Sequence, residues 1–180
     1  MSNDIEFTLI PCELPKSNST INISGNIIRT DNKLSLAYFV QGNLSTIIIP
    51  EPSNLPTRKN ELWQTTCFEF FIGIANSTQY WEFNLSPTGD WNVYRFSDYR
   101  QGMTEENVFT ALPFTLKKQK NSLAINLEID LNLITNSNTN MEIAITTVIE
   151  SSKGEISYWA LHHPETIANF HNRNGFILHV

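Results

Sequence analysis

The sequence predicts an all-β fold, a predominantly antiparallel β-sandwich of jelly-roll type, on three observations. Short runs of alternating apolar and polar residues recur along the chain, turn-forming clusters of Asn, Asp, Gly, Pro and Ser divide them, and no long helical crossover of the kind that parallel strands need is present. A closed soluble barrel is the alternative arrangement of the same strands.

Residues 5–12 and 21–29 are extended segments around the turn-prone PKSNS at 15–19. After an Asp31-Asn32 turn, Leu34, Leu36, Tyr38 and Val40 form one apolar row of a strand. The apolar run at 45–49 should extend as well, until Pro50, Pro52 and Pro56 remove ladder donors and make a loop. The runs 67–74 and 80–87 are neighbouring strands, with Trp81, Phe83 and Leu85 on one face and Tyr80, Glu82 and Asn84 on the other. PTGDW turns the chain into WNVYRF at 91–96, whose aromatic and β-branched residues favour a third strand.

Residues 104–121 lack a sustained apolar face and are expected to be mainly a connection with a short helical turn. The alternation at 123–131 is the cleanest in the chain, and a second follows NSNTN with Met141, Ile143, Ile145, Thr147 and Ile149 on one face. ISYWAL and the terminal GFILHV supply the last strands, with HHPETIANFHNRN between them as a surface connection.

The 180 residues, with 41% hydrophobic content, fit one domain over 1–180 and leave little room for a second, catalytic one. With 21 Asn, 17 Thr and 15 Ser against 17% charged residues, polarity rests on neutral amides and hydroxyls. Twelve basic against eighteen acidic residues argue against a nucleic-acid binder, and KKQK at 117–120 is too short a cluster to change that. No basic segment leads into an apolar run, so a cytoplasmic protein is expected. No run approaches the roughly 18 to 20 apolar residues of a membrane span. Glycosylation patterns at Asn18, Asn22, Asn43, Asn76 and Asn84 are what an Asn-rich chain generates by composition. Cys12 and Cys67 form no CxxC pair and are expected to be buried thiols. Neither a phosphate-binding glycine loop nor a nucleophile elbow occurs.

Chemistry concentrates in ELWQTTCFEFFI at 61–72 and YWEFNLSPTGDWNVYRFSDYR at 80–100, where Glu69, Trp81, Glu82, Trp91 and Arg95 fall on adjacent strands beside Trp63 and Arg100. Aromatic faces stack on the CH faces of a sugar while carboxylates, amides and guanidinium groups meet its hydroxyls. The same residues fit a core of Trp81, Phe83 and Leu85 with the glutamates exposed or paired to arginines. Two glutamates on paired strands also match the composition of a glycosidase dyad. His162, His163 and His171 form a second cluster, suited to hydrogen bonding, ligand contact or metal and haem ligation, with Met103 or Met141 as an axial partner.

These blocks, with YWALHHPETIANFH and GFILHV, resemble the DOMON-like domain family related to type 9 carbohydrate-binding modules over about residues 61–180. The resemblance implies an antiparallel sandwich related to modules that bind sugars, often between exposed aromatic rings, and more distantly to haem-binding domains. Glu69 and Glu82 match the acidic positions of the central motifs, Trp81, Trp91 and Arg95 the aromatic and basic ones, and His163, Pro164 and His171 the later motif. The expectation is a noncatalytic domain that binds a carbohydrate or similar polar small molecule through Glu69, Trp81, Glu82, Trp91, Arg95, His163 and His171, with no cofactor, nucleic acid or membrane partner. A structural or protein-interaction domain without a sugar site is the alternative, ahead of a glycoside hydrolase or a haem domain. Protein partners and oligomeric state are not readable from these residues.

Overall fold

The computed structural model describes residues 3–13, 21–136 and 139–180. Its strands are β1 (Asn3–Thr8), β2 (Ile10–Pro11), β3 (Ile21–Thr30), β4 (Lys33–Gly42), β5 (Cys67–Ile74), β6 (Tyr80–Leu85), β7 (Trp91–Phe96), β8 (Thr104–Glu105), β9 (Phe114–Lys118), β10 (Ser122–Asp130), β11 (Met141–Glu150), β12 (Ile156–Ala160) and β13 (Leu178–His179). One sheet has the order β1-β3-β4-β10-β9, and the other β2-β12-β11-β5-β6-β7-β8 with β13 on β11. The strand pairs are antiparallel; short turns such as the one at Asp31 (φ 52°) join β3 to β4, β5 to β6 and β6 to β7, whereas β4–β10 and β5–β11 pair strands far apart in the chain. The fold is therefore an all-β antiparallel sandwich. No described helix is long and apolar enough to cross a membrane.

Alternation sends Ile23, Ile27, Leu34, Leu36, Tyr38 and Val40 of the smaller sheet against Phe68, Phe70, Ile72, Trp81, Phe83 and Leu85 of the larger one. Phe70 and Phe83 stack at 4.4 Å, and Phe68 meets Tyr38 edge-on at 5.2 Å. Tyr38 crosses the sandwich to donate its hydroxyl to the Glu69 carbonyl at 2.5 Å, giving a buried phenol its partner.

Three segments differ from expectation. The run at 45–49 begins in a 3-10 turn, Leu44–Thr46, and only Ile47 keeps a bridge, to Ser151. The Asn43 side chain accepts from the Ser45 amide at 3.2 Å and the Ser45 hydroxyl at 2.7 Å, so local hydrogen bonds take the start of the run and leave a ladder of two backbone bonds, Ile48 to Glu150 and Ser152 to Thr46. Within 104–121 the chain forms β8 and β9 and no helix. Both are edge strands, where one-sided pairing and the charges of Lys117 and Lys118 blunt the apolar alternation. The terminal GFILHV is extended only at Leu178–His179, because a 3-10 turn at Arg173–Gly175 carries Gly175 and Phe176 into buried positions, while the connection at 162–174 runs along the outer face of the larger sheet with no residue fully buried. The turn at 15–19, the Asn18 pattern and residues 137–138 lie outside the described residues.

Arg173 fastens that covering segment. Its guanidinium donates to the carbonyls of Ser77, Gln79 and Ile74, pairs with Glu142 and lies 5.0 Å over the Phe176 ring. It passes directly over Gly73, where a Cβ would sit 2.4 Å from the Arg173 Cζ.

Candidate functional site

The outer face of the larger sheet carries Cys67, Glu69 and Phe71 on β5, Tyr80, Glu82 and Asn84 on β6, Asn92, Tyr94 and Phe96 on β7, and Thr146 and Val148 on β11, as a period of two requires. Register sets Glu69 opposite Asn84 and Phe71 opposite Glu82, so the two carboxylates are diagonal neighbours on one floor. Both are buried, at 2% and 5% exposure. Above them, Trp63 enters from the 3-10 turn Leu62–Gln64, Phe170 and His171 from the covering segment, and Arg100 and Met103 from the loop after β7. Together they enclose an open-mouthed cavity of about 450 Å³, with Phe71, Phe96 and Tyr158 completing an aromatic wall.

Hydrogen bonds orient this floor. Asn84 Nδ2 donates to Glu82 Oε1 at 2.9 Å. Arg100, held at φ 52°, turns its amide to donate to the Tyr80 hydroxyl at 3.1 Å. That hydroxyl then has its own proton to give to His171 Nδ1, 2.8 Å away. The neutral imidazole so arranged carries its proton on Nε2, which faces Glu82 Oε2 at 3.7 Å. Thr146 Oγ1 reaches Glu69 Oε2 at 3.4 Å, while Glu69 Oε1 has no hydrogen-bond partner among the described residues.

Burial dominates the electrostatics. It raises the Glu69 carboxyl well above the usual carboxylate range, reinforced by the charge of Glu82. Burial also raises Glu82 to about 7, against the Asn84 hydrogen bond and the Arg100 charge. His171 is lowered to about 4 by burial and then by Arg100. Near neutral pH the floor therefore offers a pair of carboxyl groups that holds on to a proton where exposed carboxylates do not, beside a neutral imidazole.

The structure thus brings Glu69, Glu82 and His171 together and leaves the other four expected residues elsewhere. Trp81 and Trp91 are buried in the sandwich core, at 3% and 6% exposure, because strand alternation turns them away from the glutamates. Trp81 donates its indole N–H to Glu106 at 3.0 Å, and the Arg58 guanidinium covers Trp91 at 4.4 Å. Arg95 lies at the exposed edge, 4.0 Å from Glu106. His163 donates Nε2–H to the Ile10 carbonyl at 2.9 Å. Trp63 and Arg100, which the sequence places in the same constellation as the glutamates, line the cavity too, and Phe71, Phe96, Tyr158 and Phe170 join them without having been expected there. For Phe71 and Phe96 the signal was present, since each shares strand parity with a site glutamate or with Tyr94. For Trp63 and Phe170, which approach from irregular segments, no periodicity exists to read.

Met103 and His171 both line the cavity, but Tyr80 occupies one imidazole nitrogen and Glu82 faces the other, so the pair does not fit axial haem ligation. Met141 is buried in the core. Among the described residues, no group of three or more His, Cys, Asp or Glu converges as a metal site. Cys12 and Cys67 are free thiols, the second fully buried and the first partly so. Asn84, buried at the site floor, is no glycan acceptor in the folded chain.

Neither a family model nor a curated protein sequence matches the chain. Among solved structures, the fold is similar to a candidate carbohydrate-binding protein of Bacteroides uniformis, with a TM-score of 0.66 and 13% identity over 95% of this chain and 84% of that one. It is also similar to a family 9 carbohydrate-binding module of Caldicellulosiruptor kristjanssonii in complex with glucose, with a TM-score of 0.54 and 13% identity over 91% and 78% of the two chains. At these identities the likeness is one of fold.

Proposed function

We propose that this chain binds a carbohydrate, or a similarly polar small molecule, in the cavity over Glu69 and Glu82 and does not turn it over. The observation that carries the reading is an aromatic-walled cavity whose buried floor holds a carboxyl oxygen, Glu69 Oε1, with no hydrogen-bond partner among the described residues. A buried polar atom left unsatisfied costs free energy that a ligand hydroxyl would recover. Sugar rings suit the remaining surface: their CH faces pack on Trp63 or Tyr158, and their hydroxyls both donate to the carboxylate of the pair and accept from the carboxyl that keeps its proton. The solved structures of similar fold described as carbohydrate-binding, one of them holding glucose, support the same reading.

The noncatalytic part rests on placement. Glycoside cleavage uses an acid and a second carboxylate flanking the scissile bond. Here both carboxyl groups rise from one floor as diagonal neighbours, on the same side of anything lying above them.

Calorimetric titration against a varied glycan panel tests the proposal. Saturable heat is expected with at least one glycan, weakened roughly fivefold to tenfold in Trp63→Ala through the lost aromatic contact. The absence of saturable heat across the panel would overturn it.

A further inference from the structure

Two carboxyl groups are buried side by side on the cavity floor, and no lysine or arginine among the described residues forms an ion pair with either. Among the described residues Arg100 is the one arginine or lysine in the lining, and it is exposed, directed to Asn169 Oδ1 at 3.4 Å and lying 5.8 Å over the Tyr99 ring. The open hydrogen-bonding capacity is mainly on the acceptor side, with the His171 Nε2–H as the donor left over. Glu69 Oε1 has no hydrogen-bond partner among the described residues, and Glu82 Oε2 lies 3.7 Å from His171 Nε2, beyond an ordinary hydrogen bond. The walls are the faces and edges of Trp63, Phe71, Phe96, Tyr158 and Phe170. Aromatic rings around a counter-anion are the surroundings in which an organic ammonium group is best stabilised outside water.

We infer that the ligand is an amino sugar, seated with its protonated amine on Glu82 and with Glu69 behind it. This rests on the carbohydrate reading and narrows it to a chemical class. An ammonium brings three donors to a floor that is short of them and lets both carboxyl groups ionise together, whereas beside a neutral hexose the pair has to keep a proton. The ionisable groups that face Glu82 are Cys67 and Glu69 on β5, Tyr80 on β6, Tyr94 on β7, and Arg100 and His171 from the covering loops. Of these, Glu69 and Glu82 are the groups that hold a releasable proton near neutral pH, so seating a cation expels a proton from that pair.

Titration calorimetry of the full chain with D-glucosamine and D-galactosamine, each against its parent hexose and its N-acetyl derivative, tests the inference. At least one amino sugar should bind about tenfold or more tightly than both of its uncharged counterparts, as a charge-assisted contact replaces a neutral one. Its heat should change with the ionisation enthalpy of the buffer, while that of the neutral sugars does not. In Glu82→Gln, which keeps an acceptor for Asn84, the preference should fall to about twofold or less. Glu69→Gln serves as the parallel variant, and near-ultraviolet circular dichroism checks that each is folded. Neutral sugars binding as tightly as the amines, or a preference that survives in both variants, would overturn the inference and leave the carbohydrate reading standing. Silence from every glycan would overturn both.

Discussion

Glu82 and His171 face one another across 3.7 Å with acidities displaced in opposite senses, and stability follows from the pair. Glu82 moves from 4.5 in the unfolded chain to about 7 in the fold. Between those values the folded state binds more protons, so its contribution is complete below about 4.5 and is lost as pH rises toward 7. His171 moves from 6.5 to about 4, so its contribution is complete above about 6.5 and is lost as pH falls toward 4. From about 4.5 to 6.5 the two slopes oppose and largely cancel; Glu69, also raised, extends the carboxylate slope to higher pH. Glu82→Gln removes one side of the balance. In denaturant titrations its stability relative to the wild type should climb by roughly 2 kcal/mol between about pH 5 and pH 8. A difference that stays constant over that range would show that Glu82 ionises equally in the folded and unfolded states.

At the scale of elements, the covering segment at 161–177 depends on an arginine that needs a glycine beneath it. Gly73→Ala puts a methyl group 2.4 Å from the Arg173 guanidinium carbon and displaces it from three carbonyls and from Glu142. We expect a loss of about 1–3 kcal/mol, with hydrogen-exchange protection falling first at Gly175 and Phe176. Unchanged protection there would mean that the segment is held without Arg173. The same segment marks where sequence reading stops. Period-two alternation located β4, β6, β10 and β11, because each has one face against the shared core; aromatic and β-branched content located β5 and β7, and parity alone placed Glu82 opposite Trp81. It could not show that the other face is buried too, since that burial comes from residues far along the chain. Glu69 and Glu82 were therefore legible as a pair, and His171 as a polar candidate, whereas the wall formed by Trp63 and Phe170 depends on tertiary packing. Trp81 and Trp91 attracted attention by residue type, and their parity carries them into the core.

Across the whole molecule, the chain weaves its two ends into both sheets. β1 edges the smaller sheet and β2 pairs with β12 in the larger, with Leu9, 2% exposed, between them at the crossing. Arg29 donates to the terminal Val180 carbonyl at 2.9 Å, and Met141 exchanges backbone bonds with Val180. Local events in one sheet are thus tied to the integrity of the other. The placement of the indoles gives that architecture an optical consequence. Trp81, Trp91 and Trp159 lie in the core, while Trp63, half-buried, stands at the cavity mouth. Emission from the first three should follow whether the sandwich is intact, and emission from Trp63 whether the cavity is filled. A ligand should quench or shift only the Trp63 component, and Trp63→Phe should abolish that response while leaving the unfolding transition of the remaining emission in place. One spectrum then carries two separate signals, an internal standard for folding and a reporter of occupancy.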